Sequence, residues 1–367
     1  MKKTHPFTLI KTMFNVHSVH FRVVMILLVI LYLPIVFRII SYRPNITDSV
    51  PQLKALTTEE LKKLGPFAVR VKVGMFVRDF PIFNIEKNNF TVDAVIWFEF
   101  NGDEITIDTL KEFSIDNGKI ISRSPPDIKI SESGLIFAKY NVLFELNTNL
   151  GFHHFPLENH RLSIVISNDF RTPKEMIYAV DASAFQVQNN ILPAGWKIKD
   201  LNVNAGFLPL QFDQQDATKK TENPKALFTI NLVKTSSRKA LIIFIPLFSA
   251  AVLSLLSFIT GLANTFSMFT LTASAVSALL TYRFVIEQMM PTVGYSTVAD
   301  TIFLFLLLFT FIVFTIQILT VRRYLMLTPH NTSPSSAALF KLENISTIMF
   351  ILMCVLLVLG TTYILLM

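Results

Sequence analysis

Cysteine is all but missing from these 367 residues, Cys354 being the only one. A single thiol set inside an apolar run excludes an intrachain disulfide and gives no reading of redox compartment. Catalytic signatures are lacking too. There is no nucleophile elbow, phosphate-cradling loop or paired-carboxylate motif, so an enzyme is not expected. The net charge of +7 comes with no RNA- or DNA-binding motif, and much of it flanks apolar segments. Membrane orientation accounts for that better than nucleic acid does. His153, His154 and His160 follow no standard zinc spacing, so neither metal nor cofactor is expected.

What the chain has in quantity is hydrocarbon. Hydrophobic residues make up 51% and mean hydropathy is +0.50, too high for an ordinary soluble protein. Long charge-free runs explain it. Residues 1 to 22 carry Lys2, Lys3, Lys11 and Arg22 with no acid, followed by the apolar run Val23 to Phe37. Ile39 to Tyr42 extend the run to about 20 residues if Arg38 snorkels, enough for an N-terminal anchor helix. A cleaved signal peptide is the alternative, but no small-x-small cleavage site follows the run. Residues 1–43 therefore read as a cytoplasmic N-terminus and anchor.

Residues 44–66 read as a connector, with Thr57 or Thr58 capping a short helix that Gly65-Pro66 stops. From 67 to 236 the texture changes to short alternating runs: VRVKVGMFV, FTVDAVIWFEF, LIFAKYNVLFEL, RLSIVIS and ALFTINLV. Asn88-Asn89, Asn117-Gly118, Pro125-Pro126, Ser133-Gly134 and Ala194-Gly195 break them, as in an antiparallel β-sandwich. Residues 237–367 then hold four apolar stretches: Ala240 to Ala263 with Pro246 inside it, Asn264 to Pro291, Thr301 to Val321, and Ile345 to Met367. They read as a four-helix transmembrane bundle with a polar linker at about 322–344. Arg322, Arg323 and Lys341 put that linker inside, which agrees with an inside N-terminus and a sandwich on the outer side.

The second of these stretches carries hydroxyls at a helical spacing. At about 100° per residue, Thr270, Ser274, Ser277, Thr281, Phe284 and Gln288 fall within about 40° of one line. A polar stripe in hydrocarbon must face water or another polar surface. Several copies around an axis would enclose water with rings of hydroxyls. Helix–helix adhesion is the other reading, since Ser and Thr are ordinary at packed membrane interfaces.

An outer sandwich joined to four helices, the second hydroxyl-striped, resembles the pentameric ligand-gated ion channels, the Cys-loop receptor superfamily, in its prokaryotic form. The resemblance covers about residues 67 to 367. Phe155-Pro156-Leu157-Glu158-Asn159-His160-Arg161-Leu162 is similar to the signature loop Phe-Pro-x-Asp-x-Gln-x-Leu, with Glu158 at the acidic position and His160 in place of Gln. Pro125-Pro126-Asp127-Ile128 resembles the Pro-Asp segment, Arg238 the basic residue entering the first channel helix, and Pro246 that helix's proline. Pro291, Tyr295 and Asp300 resemble the connection from second to third helix. The sequence departs from the family in its extra anchor, in the missing loop disulfide, and in Ser277, where many relatives carry a gating Leu or Ile.

The resemblance implies a homopentamer whose striped helix lines the pore and whose outer domains bind a ligand. Phe284 is the candidate constriction, gating by dewetting, with packing between helices as its alternative. Glu287 is the candidate selectivity residue and favours cations. The inner end, Thr265 to Met268, carries no charge. Arg283 lies away from the stripe and is expected to pair with Glu287 or Asp300 rather than to line the pore. Coupling is expected through Phe155, Pro156, Glu158 and Arg238 against Pro291 and Tyr295. Asp169, Phe170, Arg171, Phe207 and Phe212 lie near the expected ligand site, whereas Trp97 and Trp196 read as core. No aromatic follows Pro126, so a choline-like cation–π site is not supported. A small organic acid, an amine, a proton and a divalent ion all stay open as the ligand.

The expectation is thus a subunit of a pentameric ligand-gated channel in a bacterial inner membrane, with lipid and inorganic ions as further partners. The alternative is a non-conducting, membrane-tethered sensory or binding protein of the same fold.

Overall fold

A computed structural model describes residues 33, 36–37, 39–42, 45–55, 68–213, 216, 220–260, 264–327 and 336–366. Of the expected anchor only Leu33, Val36 and Phe37 are described, each of them helical. The rest of it, and the helix expected after Thr57, lie outside the described residues.

The chain divides into two compact units, one of Pro44–Gly151 and Glu158–Ser236, the other of Met1–Arg43, Phe152–Leu157 and Ser237–Met367. The first is sheet-rich. Its strands are β1 (Lys54–Ala55), β2 (Val69–Asn84), β3 (Asn89–Asn101), β4 (Phe113–Ile115), β5 (Gly118–Arg123), β6 (Asp127–Ile130), β7 (Leu135–Asn147), β8 (His160–Asn168), β9 (Met176–Ala179), β10 (Phe185–Val187), β11 (Trp196–Gln211) and β12 (Lys220–Lys234). A short helix, α1 (Ile107–Lys111), precedes β4.

One sheet runs β1-β11-β12-β8-β4 and the other β10-β2-β3-β7-β5, with β6 on β7 and β9 on β2. The pairing is not antiparallel throughout, as the sequence suggested. β9 and β10 both lie parallel to β2, on Val69–Lys72 and Met75–Val77. Both belong to the long return from β8 to β11, a connection long enough to bring the chain back in the same direction. The alternation along β3 buries Phe90, Val92, Ala94, Ile96, Phe98 and Phe100 on one face, as a period of two requires. Turns fall at the expected breaks: Asn88 and Gly134 take φ of 51° and 81°, values open to Asn and Gly.

Sequence reading passed over β11, the long partner of β12. Asp200, Asn202 and Asn204 are poor strand formers, and a bulge between Ile198 and Asp200 shifts the phase of the alternation,. Trp97 and Trp196 are half-buried rather than enclosed.

The second unit holds four helices long and apolar enough to cross a membrane: α2 (Arg238–Leu256), α3 (Thr265–Met289), α4 (Val298–Leu327) and α5 (Ser336–Leu366). The first ends earlier than its apolar run, and the last two extend past theirs. At the end of α2 the Ser254 and Ser257 hydroxyls donate to the carbonyls of Ala251 and Ser254, which satisfies last-turn acceptors. At the start of α4, Thr297 and Asp300 cap each other: the Thr297 amide reaches Asp300 Oδ2 at 2.8 Å and the Asp300 amide reaches Thr297 Oγ1 at 3.3 Å,. Residues 322–327 and 336–344 of the expected linker are helical.

Candidate functional site

The face that α3 turns to its own bundle is made of Met268, Thr272, Ala275, Leu279 and Ile286, all buried. At about 100° per residue these five share one side, and the stripe lies about 180° away. Thr270, Ser274, Ser277, Thr281, Phe284 and Gln288 are all exposed in the single chain. The most apolar window of α3 is only 22% buried, against 50%, 39% and 33% for α2, α4 and α5. It is therefore the helix whose surface its own chain covers least.

The stripe hydroxyls divide into two kinds. Thr270 and Thr281 donate back to the carbonyls of Phe266 and Ser277, each at 2.8 Å, the usual way for a membrane helix to satisfy a hydroxyl. Ser274, Ser277 and Gln288 form no side-chain hydrogen bond with the described residues of the chain. Phe284 is 68% exposed, and Phe266, one turn before Thr270, is 80% exposed. Phe266 was not singled out from the sequence. It stands eighteen positions before Phe284, five helical turns, and so shares its angle on the helix.

The ion pair at the other end of α3 is a three-residue cluster. Arg283 Nε donates to Glu287 Oε1 at 3.1 Å, and its Nη1 donates to Asp300 Oδ1. The guanidinium also lies 5.4 Å from the Phe303 ring. Both partners named from the sequence are engaged at once. Glu287, the candidate selectivity residue, remains half-exposed but is tied to Arg283, and these two are the only charged residues of α3.

The signature loop is split between the units. Phe152–Leu157 clusters with the helices, whereas Gly151 and Glu158 on either side belong to the sheet-rich unit. Phe155 is fully buried, with Lys239 Nζ 4.8 Å above its ring, and Pro156 beside it is buried as well. The loop carbonyls cap α4: Val298 donates to His153 O at 2.9 Å and Ala299 to Phe155 O at 3.1 Å. Tyr295 stacks on His153, centroids 3.9 Å apart, and its hydroxyl accepts from the Phe152 amide at 2.8 Å. Pro291 is buried at the end of α3, and Arg238 opens α2 exposed.

In the sheet-rich unit, Glu158 is 4% exposed and pairs through Oε1 with Lys234 at 3.2 Å. Asp48 was not found from the sequence. Its carboxylate accepts from the amides of Gly151 and Arg161 at 2.5 and 2.6 Å and faces His160 Nδ1 at 3.3 Å. Of the ligand-site residues, Phe170 and Phe212 are each 73% exposed. Asp169 accepts from Ser114 and Asn223, and Arg171 reaches Glu175 and Thr109. Phe207 is buried, with Lys54 over its ring, so it offers a ligand no face. Among the described residues no group of three His, Cys, Asp or Glu side chains is placed to hold a metal.

No family model and no curated protein matches this chain. Its layout, a β-rich unit followed by four apolar helices, is compatible with that of the pentameric ligand-gated channels.

Proposed function

We propose that the chain is one subunit of a homopentameric ligand-gated ion channel, conducting inorganic ions passively through a pore lined by α3. The observation that carries this reading is the exposed stripe, opposite the face that α3 buries, with Ser274, Ser277 and Gln288 finding no partner inside their own chain. Within a bilayer such groups must meet water or another protein surface. A ring of subunits around a water-filled axis supplies both. Phe284 is the dewetting constriction, and the acid at Glu287 inclines the pore to cations.

The two sheets form a β-sandwich that senses the ligand. Rings from opposite sheets approach closely, Phe98 to Phe113 at 5.3 Å and Phe185 to Phe228 at 5.2 Å, as facing layers do. The sandwich lies on the periplasmic side of the inner membrane and the N-terminus on the cytoplasmic side, following the basic residues 2 to 22 and Arg322-Arg323. Phe155 and Pro156, in a loop covalently bound at both ends to the sheet-rich unit, pass its motion to Pro291 and Tyr295.

A second reading, a non-conducting sensory protein of the same assembly, draws on the neutralising pair Arg283–Glu287, the only charges on α3. Native mass spectrometry of the purified protein, with cysteine scanning in a Cys354→Ser background, separates the two. The channel reading expects five subunits, and a water-soluble thiol reagent modifying cysteine at Ser274 or Ser277 but not at Ala275. Five subunits without modification or current leave the sensory reading standing. A stable monomer or dimer removes both.

A further inference from the structure

α3 and α4 enclose a second feature, away from the stripe. A cavity of about 500 Å³ opens at the Arg322 end of α4, within the size range of small-molecule sites. Its walls are Phe269 of α3 and Ile318, Val321, Leu325 and Met326 of α4, and its one charged wall residue is Arg322. Ile318, Leu325 and Met326 are exposed, so the chain itself leaves the groove uncovered. Arg322 and its neighbour Arg323 are exposed as well.

The groove cannot draw its counter-charge from the helices that form it. From Thr301 to Leu342 the sequence contains no Asp or Glu. The nearest acid on α4 is Asp300, 22 positions from Arg322, and the nearest on α3 is Glu287, 18 positions from Phe269. At about 1.5 Å per residue both stand about 27 Å away or more. A guanidinium beside hydrocarbon walls, at the end of an apolar span, calls for one molecule with an anionic head and an apolar tail.

We propose that this groove binds an anionic phospholipid, with the phosphate on Arg322 and Arg323 and an acyl chain against Phe269, Ile318 and Leu325. Arginine favours phosphate through its paired donors, and basic residues next to a membrane span collect anionic lipid. The site also touches the striped helix. The Phe269 ring meets that of Phe314 edge-on, 6.1 Å between centroids, so a chain lying in the groove bears on both helices. The proposal rests on the membrane reading of α3 and α4 and not on conduction.

Delipidated full-length protein, titrated with dioctanoyl phosphatidylglycerol or dioctanoyl phosphatidylcholine and read by native mass spectrometry, tests it without recording current. The expected result is saturable binding of one phosphatidylglycerol per subunit, with phosphatidylcholine at least about fivefold weaker. Arg322→Gln weakens phosphatidylglycerol by about fivefold, and adding Arg323→Gln weakens it by as much again, the effect of about one cationic contact each. Ile318→Trp, which fills the groove, removes both lipids and leaves the subunit count unchanged. Equal affinity for the two lipids, or phosphatidylglycerol binding indifferent to Arg322→Gln and Ile318→Trp, overturns the proposal. A changed subunit count in Ile318→Trp overturns it also, because a second copy of the chain then occupies the groove. Either failure leaves the five-subunit test of the channel reading untouched.

Discussion

Tyr295 and Phe152, 143 positions apart, are joined by a hydrogen bond in which the tyrosine hydroxyl accepts the phenylalanine amide at 2.8 Å. The same ring stacks on His153. One side chain in the connection between α3 and α4 thus holds both the amide and the ring at the start of the signature loop. Tyr295→Phe keeps the stack and removes the acceptor, a net loss of about 1 kcal/mol. Hydrogen exchange at the Phe155 and Leu157 amides, which bond within the loop, should quicken by about fivefold. Tyr295→Ala should quicken it further. Unchanged protection in Tyr295→Phe would mean that packing alone seats the loop.

The cluster at the end of α3 is asymmetric, and its two acids should differ in what they contribute. Asp300 is 7% exposed, accepts from Arg283 and receives both the amide and the hydroxyl of Thr297. Asp300→Ala strips a cap and leaves the guanidinium with Glu287 alone, a loss of about 3 kcal/mol. Glu287, with its side chain 53% exposed, should contribute no more than about 1 kcal/mol. Cys354, buried and the only thiol, gives the measurement. Its alkylation on heating marks unfolding, so Asp300→Ala should react at a clearly lower temperature and Glu287→Ala close to the parent.

Some of this was legible in the residues. The stripe on α3 shows because polar positions in an apolar span keep a helical period, and the structure exposes each of the six. The five strands read from alternation fall within β2, β3, β7, β8 and β12. The ends of the helices were not legible. Hydropathy stops at the first polar residue, while backbone hydrogen bonding continues through Arg322 to Leu327 and begins, through the Thr297 cap, before Thr301. Asp48 was invisible for another reason. Its partners, Gly151, His160 and Arg161, lie more than a hundred positions away, and no local pattern reports a pairing at that distance. Phe266 could have been found, since extending the stripe one turn reaches it.

Glu175 ties a turn of the sheet-rich unit in a way that depends on pH. Its Oε2 accepts from the Thr172 amide at 3.0 Å and from the Thr172 hydroxyl at 3.1 Å, and Arg171 stands beside Oε1. The amide bond first, with the hydroxyl and Arg171 adding to it, holds this carboxyl below its ordinary value of 4.5. A carboxyl depressed in the folded state stabilises fully above its unfolded value, and that stabilisation is lost as pH falls through the lower folded value. Protection of the Thr172 amide should therefore hold at neutral pH and fall away below about pH 4.5. Glu175→Gln should show weaker protection and no such step.

Phe266 and Phe284 stand at the same angle on α3, 80% and 68% exposed, about 27 Å apart along the axis. In a ring of five subunits they bracket the hydroxyl stretch with an aromatic girdle at each end, so Phe266 constricts the same pathway as Phe284. Dewetting at such a girdle is a barrier in series. A barrier lower by about 1.4 kcal/mol passes about tenfold more ions, so either residue changed to Ala should raise the resting leak only as far as the other allows. Ion flux into proteoliposomes without ligand tests this: the Phe266→Ala/Phe284→Ala double variant should leak more than the two single increases combined. If Phe284→Ala alone reaches the flux of the double variant, Phe266 faces lipid and Phe284 is the only barrier. If neither substitution changes the flux, the aromatic girdles do not gate.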